Sequence, residues 1–290
     1  MDQFIGASLP PLPLRLKPSR KGEKKLYVLG ADDPEMEENI FYLTVNGCAF
    51  MLATFHGTRV DPQTAYRADP VQCEPGTTLV FVECRPREFL AGEYFVTYVD
   101  HHNEGDEGFN MPPSSFLLGS SLGQISILEG KPLTEGQMII AALDHCPVQA
   151  MRGMCPGVDP ERAKIVYQEV TLRRRNVTLE DLRVCLHDVG KRIAVAPSTH
   201  VGNSPVIDMS GFPTGNGYSL SYICSIYAAA ELGIPILVSN RNKEKDNEKR
   251  ILTGLVSPKL VSDFRTDYAP KLHLLHVWGD NNRGAGGILP

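Results

Sequence analysis

No stretch of this 290-residue chain approaches 18 consecutive apolar residues, so no transmembrane helix is predicted. Cysteine is sparse and odd in number, at seven, which argues against a disulfide framework and for reduced thiols in a cytoplasmic setting. Positive charge is not in excess. The net charge of −5 excludes a strongly basic nucleic-acid coat and argues against long nucleic acids as partners, though not against a local basic groove. The first 25 residues lack an apolar core followed by a small-residue cleavage site, so no secretory signal is expected. No Gly-x-Gly-x-x-Gly or Walker-type loop follows a strand-like run, and there is no Gly-x-Ser-x-Gly elbow. Two common nucleotide-binding folds and the serine hydrolases of that type lose their support.

What remains is ordinary soluble composition, 42% hydrophobic and 22% charged, with enough chain for two domains. Residues 1–25 read as a proline-rich basic tail, extended or disordered; Pro10, Pro13 and Arg15 also fit a ligand for a proline-binding domain. From Leu26 short apolar runs alternate with turn signals. LYVLG, IFYLTVNG and CAFMLATFHG read as strands or buried segments, TTLVFVECRP and YFVTYVDHHNEGD as clear strands. LTEGQMIIAALDHC is a helix that Thr134 can cap. TLEDLRVCLHDVGKR is another, with Thr178 and Asp181 at capping-box spacing. RIAVAP reads as a strand-like run at a boundary. Beyond it, YSLSYICSIYAAAELG is a helix ended by Gly233, and IPILVSN and ILTGLVS are strands. RNKEKDNEKR is a charged loop, and PKLVSDFRTDYA is helical from Pro258. The expected architecture is α/β: a mostly parallel sheet with flanking helices over 26–195, then a smaller α/β domain over 205–290.

Ligand-type residues recur near the carboxyl ends of apolar segments, where open α/β sheets bind ligands. His56 and Asp61 follow one run, Glu83 ends a second, Asp100-His101-His102 end a third and Asp144 ends a fourth. Carboxylates with imidazoles suit manganese, iron or zinc. Side chains alternate along an extended chain, so Asp100, His101 and His102 cannot all face one ion. Each position also has a plain reading as a solvated turn residue or strand-end charge.

Asp100-His101-His102 after its strand resembles the signature of the DHH phosphoesterase superfamily. GSSLGQI, residues 119–125, is similar to the small-residue helix start that follows in those proteins, and IIAALDH to the segment ending in their fourth-motif aspartate, here Asp144. The likeness spans about residues 40–150. It departs at two points: the second-motif aspartate is Glu83, and the first motif, a histidine and two aspartates, is reduced to His56 and Asp61. The superfamily includes manganese-dependent pyrophosphatases, single-strand exonucleases, oligoribonucleases and cyclic-dinucleotide phosphodiesterases. The resemblance therefore implies one or two Mn2+ (or Mg2+) ions among His56, Asp61, Glu83, Asp100, His101 or His102, and Asp144. It implies a metal-activated water attacking a small phosphorylated molecule or short nucleotide, with Asp100, His101 and His102 in the reaction. A C-terminal glycine-rich segment contacts substrate in that superfamily; WGDNNRGAGG is similar in kind, making Gly286, Arg241, Arg265 and Arg283 candidate substrate contacts. The alternatives are a decayed site that binds a phospho-ligand, or different chemistry on the same scaffold. Whether the chain forms a homo-oligomer stays open.

Two rival signals exist. His187-Asp188 within CLHDVGK is similar to the helix motif of HD-domain phosphohydrolases, a fold that is all-helical. His145, Cys146 and Cys155 are zinc-type residues without a second close cysteine pair.

Overall fold

The computed structural model describes residues 24–89, 94–212, 219–242 and 247–290. The tail with Pro10, Pro13 and Arg15 lies outside them. Packing divides the chain after His145 into two compact units.

The first unit is built on β1 (Lys25–Leu29), α1 (Pro34–Val45), β2 (Phe50–Leu52), a small hairpin of β3 (Thr54–Phe55) and β4 (Thr58–Arg59), β5 (Thr77–Val82), β6 (Tyr94–Val99), α2 (Phe116–Gly119), α3 (Ser121–Glu129) and α4 (Glu135–His145). The main sheet runs β2-β1-β5-β6, every pair parallel. Parallel strands are covered on both faces and read as continuous apolar runs; all six residues of β5 are buried. Val28, Leu79 and Phe81 face Ala53, Val60, Ala65 and Ala68 of the irregular segment. On the opposite face the Tyr27 hydroxyl reaches Glu129 at the end of α3, which also pairs with Lys25.

Parallel connection puts the ends of β1, β5 and β6 side by side. At that edge Gly30 donates its N–H to the Val82 carbonyl at 2.9 Å. A Cβ there would stand 2.5 Å from the Glu83 carbonyl oxygen, so the approach requires glycine.

IFYLTVNG, expected as a strand or buried segment, supplies the second half of α1 instead. Asp33 caps the helix by accepting from the Met36 N–H at 2.7 Å, Pro34 occupies the first turn, and buried Met36, Asn39, Tyr42 and Leu43 follow helical spacing. The aromatic and β-branched composition lost to a strong start signal. The α4 expectation holds: Thr134 and Gln137 exchange reciprocal hydrogen bonds at 3.0 and 3.3 Å.

The second unit contains α5 (Pro147–Ala150), α6 (Pro160–Arg175), α7 (Leu179–Val195), β7 (Ser198–Val201), β8 (Ser204–Asp208), α8 (Leu220–Leu232), β9 (Pro235–Asn242), β10 (Asn247–Gly254), α9 (Pro258–Asp263), α10 (Ala269–Lys271), β11 (Leu275–Asp280) and β12 (Gly284–Ile288). Its sheet order is β11-β12-β10-β9-β8-β7, antiparallel except for β8 with β9. Leu237, Leu252 and Ala285 of the sheet pack with Leu260, Val261 and Phe264. Helix α8 contacts β9 and β10 and carries α6 and α7. That helical packing sets the division after His145, where the sequence suggests residues 195–205.

Two local expectations change, and the glycine-rich segment gains a definite structure. RIAVAP is not a strand: the Thr178–Asp181 capping box launches α7, and burial of Leu182, Val189 and Ile193 carries the helix through to Val195. Asn247–Arg250 of the expected charged loop are strand, paired with β9. WGDNNRGAGG is a hairpin whose glycine-rich arm is a buried inner strand.

Candidate metal centre

Glu83 follows β5 with a left-handed backbone, φ 50°, while its N–H donates to the Val99 carbonyl at 2.9 Å. Such a conformation costs a non-glycine residue about 1–2 kcal/mol, and strained residues of this kind concentrate at functional sites. Next to it, Asp100 and His101, both buried, follow directly on β6. His101 Nε2 lies 3.1 Å from Asp144 Oδ2 at the end of α4 and 3.4 Å from Glu83 Oε1.

A fourth residue, not foreseen, completes the group. Glu35, on the first turn of α1, is fully buried. Its Oε2 accepts from the Ser121 hydroxyl at 2.8 Å and the Ser121 N–H at 3.2 Å; Oε1 accepts from the Leu122 N–H at 3.1 Å. The carboxylate thus caps the N-terminus of α3, where helix polarity favours an anion. Glu35, Glu83, His101 and Asp144 each offer a ligand atom, and these atoms lie within 4.8 Å of one another; Glu83, His101 and His102 form an overlapping set. The signal for Glu35 is present in the sequence. LYVLG is an apolar strand like the others, and an acid follows it on the Asp-Asp-Pro-Glu helix start.

Burial, and then the charges of Asp144 and Glu83, push the Glu35 carboxyl well above its ordinary range. Burial works the same way on Glu83, but its His101 contact and the charges of His102 and His101 outweigh it and hold that carboxyl low. Three carboxylates in one place, Glu35 and Glu83 buried and Asp144 partly exposed, are mutually repulsive and are relieved by a proton or a cation. Glu83 Oε1 is buried and accepts no hydrogen bond among the described residues; its His101 contact is too long or misaligned. An orphaned buried carboxylate oxygen facing an imidazole and a second carboxylate fits a divalent cation. Oxygen donors with one imidazole suit Mn2+, with Mg2+ the harder alternative.

Asp100 sits beside this group but is not in it. The His102 ring lies against that of His101, centroids 4.4 Å apart, but is 38% exposed against 1% for His101, and its Nδ1 lies 3.0 Å from Asp100 Oδ1. A cavity of about 390 Å3 adjoins Asp100, lined by Arg85, Tyr98, Asp106 and Glu107 among others. Arg85 pairs with Asp106, and its guanidinium lies 4.6 Å above the Tyr98 ring.

The remaining expected residues lie apart from the group. His56 is exposed at the tip of the β3–β4 hairpin, φ 51°, its N–H bonded to Asp69. Asp61 is an exposed turn-former that accepts from the N–H groups of Gln63 and Thr64. In the second unit Arg265 is exposed, and Arg283 follows Asp280, whose carboxylate accepts its N–H at 2.9 Å. Arg241 belongs to β9, its side chain outside the described residues. Gly286 is buried against the Trp278 indole, where a Cβ would meet the ring at 2.6 Å. His187 and Asp188 are exposed, Asp188 is paired with Arg192, and their unit is built on a sheet, so the HD-type reading falls. The Cys146 and Cys155 thiols lie 3.3 Å apart, yet no metal-type group among the described residues includes them.

No protein-family model and no curated protein matches the sequence. Among solved structures, a pGpG-specific phosphodiesterase, PggH, from Vibrio cholerae aligns over 92% of this chain and 93% of its own, at 8% identity and a TM-score of 0.36. A Methanococcus jannaschii protein provisionally assigned as a family II inorganic pyrophosphatase aligns over 91% and 84%, at 12% identity and a TM-score of 0.20. At that distance neither speaks to chemistry, which rests on the residues described above.

Proposed function

We propose that this chain is a divalent-metal-dependent phosphoesterase acting on a phosphoanhydride or phosphodiester of a small molecule or short nucleotide. The observation that carries the reading is the meeting of Glu35, Glu83 and His101, all buried, with partly exposed Asp144 in one group, where a carboxylate oxygen of Glu83 accepts no hydrogen bond among the described residues. Glu83, His101 and Asp144 would hold the ion, with Glu35 behind them. A bound Mn2+ or Mg2+ supplies a water of lowered pKa and charge stabilisation at phosphorus. The chain's own part is then clear. The ends of β5, β6 and α4 would fix Glu83, His101 and Asp144, and burial of Glu83 and His101 would keep bulk water from competing for them. His102, half-exposed beside the ligands, delivers a proton to the leaving oxygen, a role worth about 10²–10⁴ in rate. The cavity beside Asp100 is of a size for a small substrate.

A second reading, a phospho-ligand binder without turnover, draws on one observation: His56 and Asp61 lie outside the group, which leaves ligands for one ion rather than two.

The deciding experiment is elemental analysis and Mn2+ titration of wild type, Glu83→Gln and Asp144→Asn, followed by hydrolysis assays on pyrophosphate and short dinucleotides. About one ion per chain, lost in both variants together with hydrolysis, supports the enzyme. Metal binding without turnover, and phospho-ligand affinity that survives chelation, supports the binder. No metal in wild type, even after Mn2+ loading, sinks the metal reading.

A further inference from the structure

The metal centre makes no use of the two cysteines that meet in the second unit. The Sγ atoms of Cys146 and Cys155 lie 3.3 Å apart, closer than ordinary non-bonded sulfurs, and both residues are buried, at 0% and 2% exposure. Local folding makes the contact. Cys146 precedes α5 with φ −149° and ψ 69°, and its carbonyl accepts the Ala150 N–H at 2.9 Å. After α5 the chain turns at Gly153, φ 71°, and the Met154 N–H returns to the Gln149 carbonyl at 2.9 Å. Cys155 is thereby laid back on Cys146. Neither cysteine lies inside a helix or strand, so no regular ladder fixes its backbone. The segment between them is anchored from outside. Gln149 Nε2 donates to the Asn282 carbonyl in the β11–β12 turn at 3.1 Å, and Arg152 Nη1 to the Ala230 carbonyl of α8 at 2.9 Å.

We infer that Cys146 and Cys155 are a redox pair that closes to a reversible disulfide, with hydrogen peroxide as the class of oxidant. The inference is independent of the metal reading. A disulfide is about 2.0 Å long, so the sulfurs close by about 1.3 Å from their 3.3 Å contact. Whichever thiol first loses its proton attacks a peroxide oxygen. The O–O bond breaks, hydroxide leaves as water with that proton, and the sulfur becomes a sulfenic acid. The second sulfur then attacks the first. The S–S bond forms, the S–O bond breaks, and hydroxide leaves as water with the second thiol's proton. In sum two thiols and one hydrogen peroxide give one disulfide and two waters, two electrons passing from sulfur to oxygen. Burial decides the product. A glutathione-sized oxidant has no room beside a buried thiol, whereas peroxide is little larger than water. The sulfenic acid meets its neighbour before it meets a second peroxide, so the higher acids do not accumulate.

The experiment uses the full chain. Native protein is first treated with N-ethylmaleimide, which takes the half-exposed Cys48, Cys73 and Cys185. That step also removes Cys185 as a partner for Cys224, its thiol neighbour. Hydrogen peroxide follows, in doses rising until the exposed Met154 is fully converted to sulfoxide. The protein is then unfolded in urea with iodoacetamide and mapped by mass spectrometry, with and without prior reduction by dithiothreitol. The expected result is that Cys146 and Cys155 escape maleimide, are joined to each other in most chains after peroxide, and take iodoacetamide once reduced. In Cys155→Ser the cross-link is absent and dimedone traps Cys146 as a sulfenic acid. Two thiols that still take iodoacetamide without reduction at the highest dose overturn the inference. So does oxygen retained on either cysteine of wild type, or a cross-link from either to another cysteine. Maleimide on either one in the first step overturns it as well, because the pair is then open to solvent. If Cys155→Ser does not fold, the wild-type map decides alone.

Discussion

The two units treat strand ends in opposite ways. In the first, parallel pairing brings the ends of β1, β5 and β6 to one edge, and the acids and histidine beyond them converge. In the second, neighbouring strands mostly run in opposite directions, so residues at strand ends alternate between the two edges of the sheet. Arg241, Arg265, Arg283 and Gly286 accordingly occupy a strand, a helical turn, a hairpin turn and a packed inner strand. Parallel topology gathers the polar residues that follow its strands at one edge, and antiparallel topology spreads them over two.

The sharpest way to break this comparison is at the ligands. Glu83→Gln or Asp144→Asn is expected to weaken Mn2+ binding by at least about a hundredfold, more than loss of a supporting residue, whereas Arg265→Ala leaves it within about twofold. An Arg265→Ala protein as impaired in Mn2+ titration as the acid variants would show that the units are not so divided. Next comes Gly286→Ala. Its methyl has the Trp278 ring in its way, and overpacking of this kind costs about 1–3 kcal/mol. Urea unfolding should register that loss while Mn2+ affinity stays put. A shift in affinity instead would restore Gly286 to the site.

Smaller still, Thr178→Ala removes the α7 capping box and is expected to cost about 1 kcal/mol. If the units unfold separately, calorimetry will show only one transition moving. The complementary change is in the first unit. Burial opposes ionisation of Glu129, but Lys25, Tyr27 and Cys48 together hold its carboxyl below the ordinary value. A depressed folded pKa contributes stability that is present above the unfolded value, about 4.3, and is lost as pH falls through the folded one. Glu129→Gln should therefore flatten the acid limb of stability below about pH 4.3 in the other transition. An unchanged acid limb would show that the Glu129 network adds nothing to acid stability.

The same contrast explains how much of the molecule is legible in its sequence. The buried parallel strands β5 and β6 announce themselves as apolar runs, and Glu83, His101 and Asp144 are legible as polar residues at the ends of apolar runs. Glu35 is hidden because its helix imitates a strand: Ile40–Val45 has strand-like composition, and the helix start at Asp33-Pro34 outweighs it only in the folded chain. His56 and Asp61 meet the same rule as Glu83, but β2, β3 and β4 are two or three residues long and their ends go elsewhere. Strand β12 carries too few side chains to show a period, so nothing in the glycine-rich sequence marks it as an inner strand. The hydrogen bond from the Tyr66 hydroxyl to Asp100 leaves no trace in the sequence, because Tyr66 is brought to it from 34 positions away.

Gly30 has a further consequence for how this site tolerates change. It bears no functional group, touches no ion and would be scored as inert by any survey of ligands. Yet the atom that any other side chain must add has the backbone of Val82 and Glu83 to push against, and backbone cannot swing aside as a long side chain can. Substitution there is expected to displace Glu83 while leaving the strands paired. The mutational target of the metal centre is thus larger than its set of ligands, and a lineage can lose the chemistry at a position where nothing chemical was ever present.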